Sequence, residues 1–315
     1  MQGKDPLCIS FGRVKCCTYA PTLPNFLVGE ILADRSEEAA KGRRAVLAFI
    51  HRGYGVSPFG LLPSRATHAR YDSIVKSDTF GFTDDVECPF YRSDSTATCG
   101  IWAHRNAVCA TWFCKHERGY VGQLFWLRLR DVLSAAESAV QHRCVLDLAP
   151  DPVALSLAST STHAGTQLNT LEDPLERARV WGNWLGREEA FYEACAEQAR
   201  QLSWPDVLAL GGASLEFLVR LCVRAETELR EPVIPSELRL AKLESVMFDK
   251  QTVRVCTYID CDPLFLPAAL FQALHSFDGG PVAAVLQELA DAGIKIDDDL
   301  LQQLVDFQIL VDPRD

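Results

Sequence analysis

Several things are missing from this 315-residue chain, and each absence excludes something. No apolar run reaches the roughly 18–20 residues that a membrane-spanning helix needs, so no membrane partner is expected. The first twelve residues, Met1 to Gly12, contain no apolar core of a secretory signal. There is no phosphate-cradling Walker loop, no dinucleotide glycine fingerprint, no HExxH and no GxSxG. Positive charge is in deficit: the formal net charge is −11, which argues against a dedicated nucleic-acid binder. The deficit is uneven, with 17 basic and 12 acidic residues in 1–130 against 14 and 30 in the remainder. The mildly basic first part can accept an acidic partner, although two differently charged solvated faces is the simpler reading. With 48% hydrophobic and 23% charged residues, the chain can bury a core without disulfide staples.

What the chain has in abundance is cysteine, twelve in all. Without a secretion signal these point to a reducing, cytoplasmic setting. There thiols serve as buried apolar groups, metal ligands or nucleophiles. Cys144, Cys195, Cys222, Cys256 and Cys261 are scattered. Cys195 and Cys222 sit in helical segments beside Ala and Leu, where a thiol packs as a small hydrophobe. The other seven lie in the first 114 residues: Cys8, Cys16, Cys17, Cys88, Cys99, Cys109 and Cys114. Between Glu87 and Gly119, ten residues separate Cys88 from Cys99, nine separate Cys99 from Cys109, and four separate Cys109 from Cys114. This is not the paired C-x-x-C spacing of a zinc ribbon, so the fold must gather the ligands. Thiolates are soft donors suited to zinc and iron–sulfur clusters, and four complete a Cys₄ site. His104 and His116 are candidate nitrogen ligands or supporting donors. A nucleophilic pairing of Cys114 with His116 is conceivable but poorly specified. Trp102, Trp112 and Trp126 read as core or as shielding for the cluster.

The chain is expected to be mainly α with small β elements. Three parts are read along it: a loop-rich cysteine-cluster domain over 1–145, a helical segment over 146–235, and a winged-helix-like module over 236–315. Helices are predicted over Leu23–Ala33, Glu37–Arg52 with Ser36 as N-cap, and Gly122–Val140. Gly53–Pro63 reads as a loop, and 146–170 as a Pro- and Ser/Thr-rich linker. Pro174–Leu202 is helical with a break near Gly182 or Gly186, and Trp204–Leu210 and Leu215–Glu228 follow. Leu243–Cys256 is predicted to form a hairpin turning at Asp249-Lys250. Helices over Pro267–Phe277, Pro281–Ala292 and Asp298–Phe307 come next, the last capped by Asp297 to Asp299, then a short apolar run at Ile309–Val311.

The cysteine segment resembles the YkgJ-type cysteine-cluster family over residues 8–118. Cys16-Cys17 matches that pattern's vicinal pair, Cys88-Pro89-Phe90 its next element, Cys99-Gly100-Ile101-Trp102 the third, and Arg105 to Cys109 the fourth. Asn106 stands where the pattern has proline, and only Cys8 precedes the pair. The resemblance implies zinc or iron chelation, with an iron–sulfur cluster preferred and zinc the alternative. Cys17, Cys88, Cys99 and Cys109 are then the first-choice ligands, with Cys16 and Cys114 as replacements or ligands of a second metal. The flagellin lysine methylases are similar in a weaker way. The last part resembles PqqD-like winged-helix modules, through Phe277-Asp278-Gly279 and the stretch from Leu304 to Leu310. That likeness implies a protein or peptide partner taken up on a strand edge. The functional expectation is a cytoplasmic metalloprotein with a redox or metal-dependent role on such a partner. The competing expectation is an interaction protein whose metal is purely structural.

Overall fold

The computed structural model describes residues 17–53, 55–77, 83, 85–92, 98–148, 174–243, 245–249, 251–259 and 261–314. It is mainly α-helical with small antiparallel sheets, as expected. The chain divides into two compact units, each discontinuous in sequence. The larger comprises the described residues of Ile9–Ala110 and Arg130–Glu216; the smaller comprises Thr111–Leu129 and the described residues of Phe217–Asp315.

The larger unit begins with β1 (Leu23–Pro24), α1 (Asn25–Ala33) and α2 (Ala40–Arg52). Next come β2 (Val56–Ser57), β3 (Gly60–Leu61) and α3 (Arg65–Lys76), which Ser64 caps through the Thr67 amide at 3.2 Å. β4 (Tyr91–Arg92), β5 (Thr98–Cys99) and the short α4 (Ala107–Thr111) complete its first segment. The long α5 (Gly119–Leu148) enters this unit at Arg130. α6 (Pro174–Trp181), α7 (Glu188–Arg200) and the first half of α8 (Trp204–Arg230) follow.

Helix α1 is the centre of this unit and packs tightly on α7. A side chain at Gly29 would put its Cβ only 1.9 Å from the Tyr192 carbonyl oxygen, so only glycine permits the approach. Trp181, Phe191 and Tyr192 are fully buried beside it, with ring centroids 5.5–5.8 Å apart in edge-to-face pairs. Each such pair contributes roughly 0.5–1.5 kcal/mol beyond its buried area. Two polar side chains of this core are satisfied from the backbone. Tyr192 donates to the Ser57 carbonyl at 2.7 Å, and Asn25 donates to the carbonyls of Pro58 (2.9 Å) and Gln141 (3.1 Å).

The smaller unit holds two three-stranded antiparallel sheets. One has the order β10 (Asp278–Pro281), β6 (Glu237–Leu240), β11 (Leu310–Val311). The other has the order β7 (Ser245–Asp249), β8 (Thr252–Cys256), β9 (Leu264–Pro267). Helices α9 (Ala268–Ala273), α10 (Val282–Asp291) and α11 (Asp298–Asp306) cover a core of Leu238, Val253, Val255, Leu274, Phe277, Leu304 and Ile309. Asp297 caps α11, accepting the Leu300 amide at 2.9 Å, as its sequence position implies. The segment Thr111–Leu129 is fastened to this unit by Arg118. Its guanidinium binds the buried Asp306 carboxylate in a fork (2.6 and 2.8 Å) and the carbonyls of Glu228 and Leu229 (both 2.7 Å).

Some sequence expectations shift. The Gly53–Pro63 loop contains a tight hairpin, because Val56-Ser57 pairs with Gly60-Leu61, which pairs in turn with β1. Helix α2 starts at Ala40 rather than Glu37. The Ser36 hydroxyl accepts the Ala39 amide at 3.3 Å within the preceding turn instead of capping the helix. α8 runs through, but kinks at Gly212 (φ 57°, ψ −154°). Most of the expected linker at 146–170 lies outside the described residues.

Candidate metal centre

Cys88 sits at a tight turn that the backbone organises around its sulfur. Its amide donates to the Cys17 carbonyl at 2.8 Å, and its own carbonyl accepts the Tyr91 amide at 3.0 Å. The chain then enters the β4–β5 hairpin, in which Tyr91 faces Cys99 and the Gly100 amide donates to the Phe90 carbonyl at 2.8 Å. This places Cys17, Cys88 and Cys99 in one neighbourhood at the edge of the larger unit's core, Cys88 buried and the other two half-buried. Burial pushes the Cys88 thiol up to about 12. The amides of Phe90 and Tyr91 hydrogen-bond its sulfur and oppose the shift, while Cys99 and then Glu87 add to it.

Cys109 lies on α4, which Asn106 caps: the Asn106 side-chain Oδ1 accepts the Cys109 amide at 2.9 Å. The Asn106 amide group donates to the Thr22 carbonyl at 2.9 Å. Asparagine in place of the pattern's proline thus ties α4 to the chain entering β1. Cys109 is within electrostatic reach of Tyr19, two residues after Cys17, and adds to the upward shift that burial imposes on that phenol. Glu137 on α5 accepts the Ala107 amide at 2.7 Å, holding the start of α4; burial drives its carboxyl up to about 7 against that hydrogen bond.

Cys99 also lines a cleft of about 530 Å³ together with Asp34, Arg92, Trp102 and His104. His104 Nε2 pairs with Asp34 Oδ2 at 2.8 Å. Hydrogen bonds from the Ser36 hydroxyl and amide, then from His104, hold the Asp34 carboxyl down to about 2. The sequence suggested a ligand or supporting donor at His104; the described contacts give it a carboxylate partner. Trp102 is not core. It is 66% exposed, with the Arg105 guanidinium carbon 3.6 Å above its ring, and Trp112 is also exposed.

The remaining candidates fall elsewhere. Cys16 lies outside the described residues, as does Cys8. Cys114 belongs to the smaller unit, where Cys261 is its neighbour: the Cys261 thiol donates to the Cys114 carbonyl at 3.1 Å. His116 donates its amide to Asp262 Oδ2 at 3.1 Å, and its ring packs beside Tyr258. Among the described residues, no group of three or more His, Cys, Asp or Glu side chains is gathered so as to hold a metal ion. Two thiol contacts escaped sequence reasoning, Cys114 with Cys261 and Cys144 with Cys195. The separations, 147 and 51 residues, leave no local signal.

Compared with known proteins, the chain matches no family model, no curated protein and no solved structure. The functional reading therefore rests on the cysteine motif and the geometry around it.

Proposed function

We propose that the larger unit is a metal-binding module. In it Cys88 and Cys99, with Cys17, supply thiolates to an iron–sulfur cluster or, as the alternative, a zinc ion, and Cys16 and Cys109 complete the set. The observation that carries this reading is the turn at Cys88, where a backbone bond to Cys17 and the hairpin that holds Cys99 bring the three cysteines into one neighbourhood. Amide hydrogen bonds to sulfur favour thiolate over thiol, and a cation is what makes several thiolates tolerable in one partly buried place. The donor set is all sulfur, which suits an iron–sulfur cluster and is one of the sets zinc accepts. The ligands lie on a turn, a hairpin and the start of the described chain, so metal binding itself draws them into one coordination sphere. A bound cluster supplies one-electron chemistry; a zinc ion there supplies a fixed fold.

The smaller unit, on this reading, is the winged-helix-like module that receives a protein or peptide partner. Its β7–β8–β9 sheet has β7 and β9 as edges, and Met247 and Phe248 on β7 are exposed. An extended segment added to such an edge gains main-chain hydrogen bonds and side-chain contacts. The whole chain is proposed to work in the cytoplasm, where thiols stay reduced.

Anaerobic purification followed by metal analysis and an absorption spectrum tests the metal proposal. A visible band with stoichiometric iron, lost in Cys88→Ser and Cys99→Ser, is the expected result. A colourless protein with stoichiometric zinc, unchanged on reduction, supports the structural alternative. Metal-free protein, or equal metal content in wild type and both variants, overturns the assignment.

A further inference from the structure

We propose that Cys114 and Cys261 form a reversible dithiol–disulfide couple, a redox modification site in the smaller unit that is separate from the metal module. Both are thiols here, and both are half-buried rather than sealed. The Cys261 sulfur lies 3.1 Å from the Cys114 carbonyl oxygen, which brings it against the residue that carries the second thiol. The two segments are held together by more than this contact. The His116 amide donates to Asp262 Oδ2, and the Tyr258 hydroxyl donates to the same oxygen. Thr257 donates to the Phe307 carbonyl, which anchors the chain before Cys261 to the end of α11. A disulfide requires its two residues to be close and correctly aimed before it forms; here neighbouring hydrogen bonds already hold them in contact.

The chain provides its own comparison. Cys144 and Cys195 are also in contact, the Cys144 thiol donating to the Cys195 carbonyl at 3.5 Å, but both side chains are 0% exposed. Thiol–disulfide exchange needs an in-line approach of the incoming disulfide to the attacking sulfur. The first pair permits this approach and the second does not.

The co-reactant is a low-molecular-weight disulfide. Cys114, as its thiolate, attacks one sulfur of the incoming disulfide, breaking its S–S bond. This forms a mixed disulfide and releases one thiolate. Cys261 then loses its proton and attacks the Cys114 sulfur, expelling the second thiolate. The incoming disulfide is reduced to two thiols, which take up the protons given up by Cys114 and Cys261. The two protein sulfurs are oxidised to one S–S bond.

The test uses the full-length protein as purified, exposed to oxidised glutathione at neutral pH. Remaining thiols are alkylated, and the digested peptides are mapped by mass spectrometry. The expected result is a Cys114–Cys261 cross-linked peptide that dithiothreitol reverses, with Cys144 and Cys195 alkylated only after denaturation. In Cys261→Ser, Cys114 should instead retain a glutathione adduct. Three outcomes overturn the proposal: both cysteines remaining fully alkylatable, separate glutathione adducts on each, or bonds from either to other cysteines. Mapping of the wild type decides the matter even where the variant fails to fold. None of these readouts depends on bound metal, so their failure is distinct from failure of the metal proposal.

Discussion

The larger unit uses cysteine in two ways, and the contrast between them separates burial from chemistry. Cys88 and Cys144 are both buried, at 8% and 0% exposure. Around Cys88 the chain turns sharply, so that the amides of Phe90 and Tyr91 meet the sulfur and other thiols stand beside it. Cys144 lies inside α5 and Cys195 inside α7, where helical hydrogen bonding has already used the neighbouring amides. Each contacts the other within an apolar core that includes Val140, Val145 and Phe191. In the helical pair, mutual hydrogen bonding followed by burial pushes the Cys195 thiol far up. Inside α5 and α7 the two cysteines are apolar filler, whereas at the turn Cys88 stands beside other thiols and is a potential ligand.

The largest expected effect concerns metal. Replacing Cys88 or Cys99 with Ser should remove most of the bound metal, whereas Cys222→Ser and Cys195→Ala should leave it at the wild-type level; elemental analysis of the four proteins measures this. Equal loss in all four would erase the distinction between turn and helix cysteines.

A smaller effect sharpens the ligand side of the contrast through Glu137, which holds the start of the helix carrying Cys109. Its folded pKa, about 7, lies above its ordinary value, so its contribution to stability is fully present below about pH 4.5. That contribution is lost as pH rises through 7, when a buried carboxylate must carry charge. Glu137→Gln should therefore gain on the wild type by roughly 2–3 kcal/mol between pH 4.5 and 7.5, read from denaturant melts across that range. A constant difference at every pH would show that the carboxyl is not strained by burial.

The smallest effect tests the filler side. Cys195→Ser places a hydroxyl in an apolar wall and should cost about 1–3 kcal/mol in chemical denaturation with no change in metal content. Cys195→Ala should cost about 1–2 kcal/mol, for the smaller residual void. A neutral Cys195→Ser would mean that its surroundings are wetter than the packing indicates.

Much of the local architecture was legible in the chain. The hairpin of β7 and β8 turns after Asp249, the helical stretch after Pro174 breaks at Gly182–Gly186, and Asp297 caps α11. These features depend on neighbours within a few residues, so spacing and residue type suffice to reveal them. The paired strands at Val56-Ser57 and Gly60-Leu61 were not legible. Two residues are too few to show a period, and their pairing is completed by β1, more than thirty residues upstream. Ser36 misled for a related reason: its hydroxyl takes the Ala39 amide as an N-cap would, but the next bond, from the Ala40 amide to the Glu37 carbonyl, closes a tighter turn and the helix begins at Ala40. The separation of Cys114 from the Cys88 neighbourhood was hidden too, because the segment from Thr111 onward joins the smaller unit through Arg118 and Asp306.

Composition and periodicity alone determined a mainly helical chain with small sheets and marked out the cysteine-rich stretch from Glu87 to Gly119 as its chemically loaded region. Only the tertiary structure decided which sulfurs share a neighbourhood. Cys17 meets Cys88 through a backbone bond spanning 71 positions, and Cys261 reaches Cys114 across 147. Such encounters follow from how separate core surfaces are buried together, and a linear pattern carries no record of that.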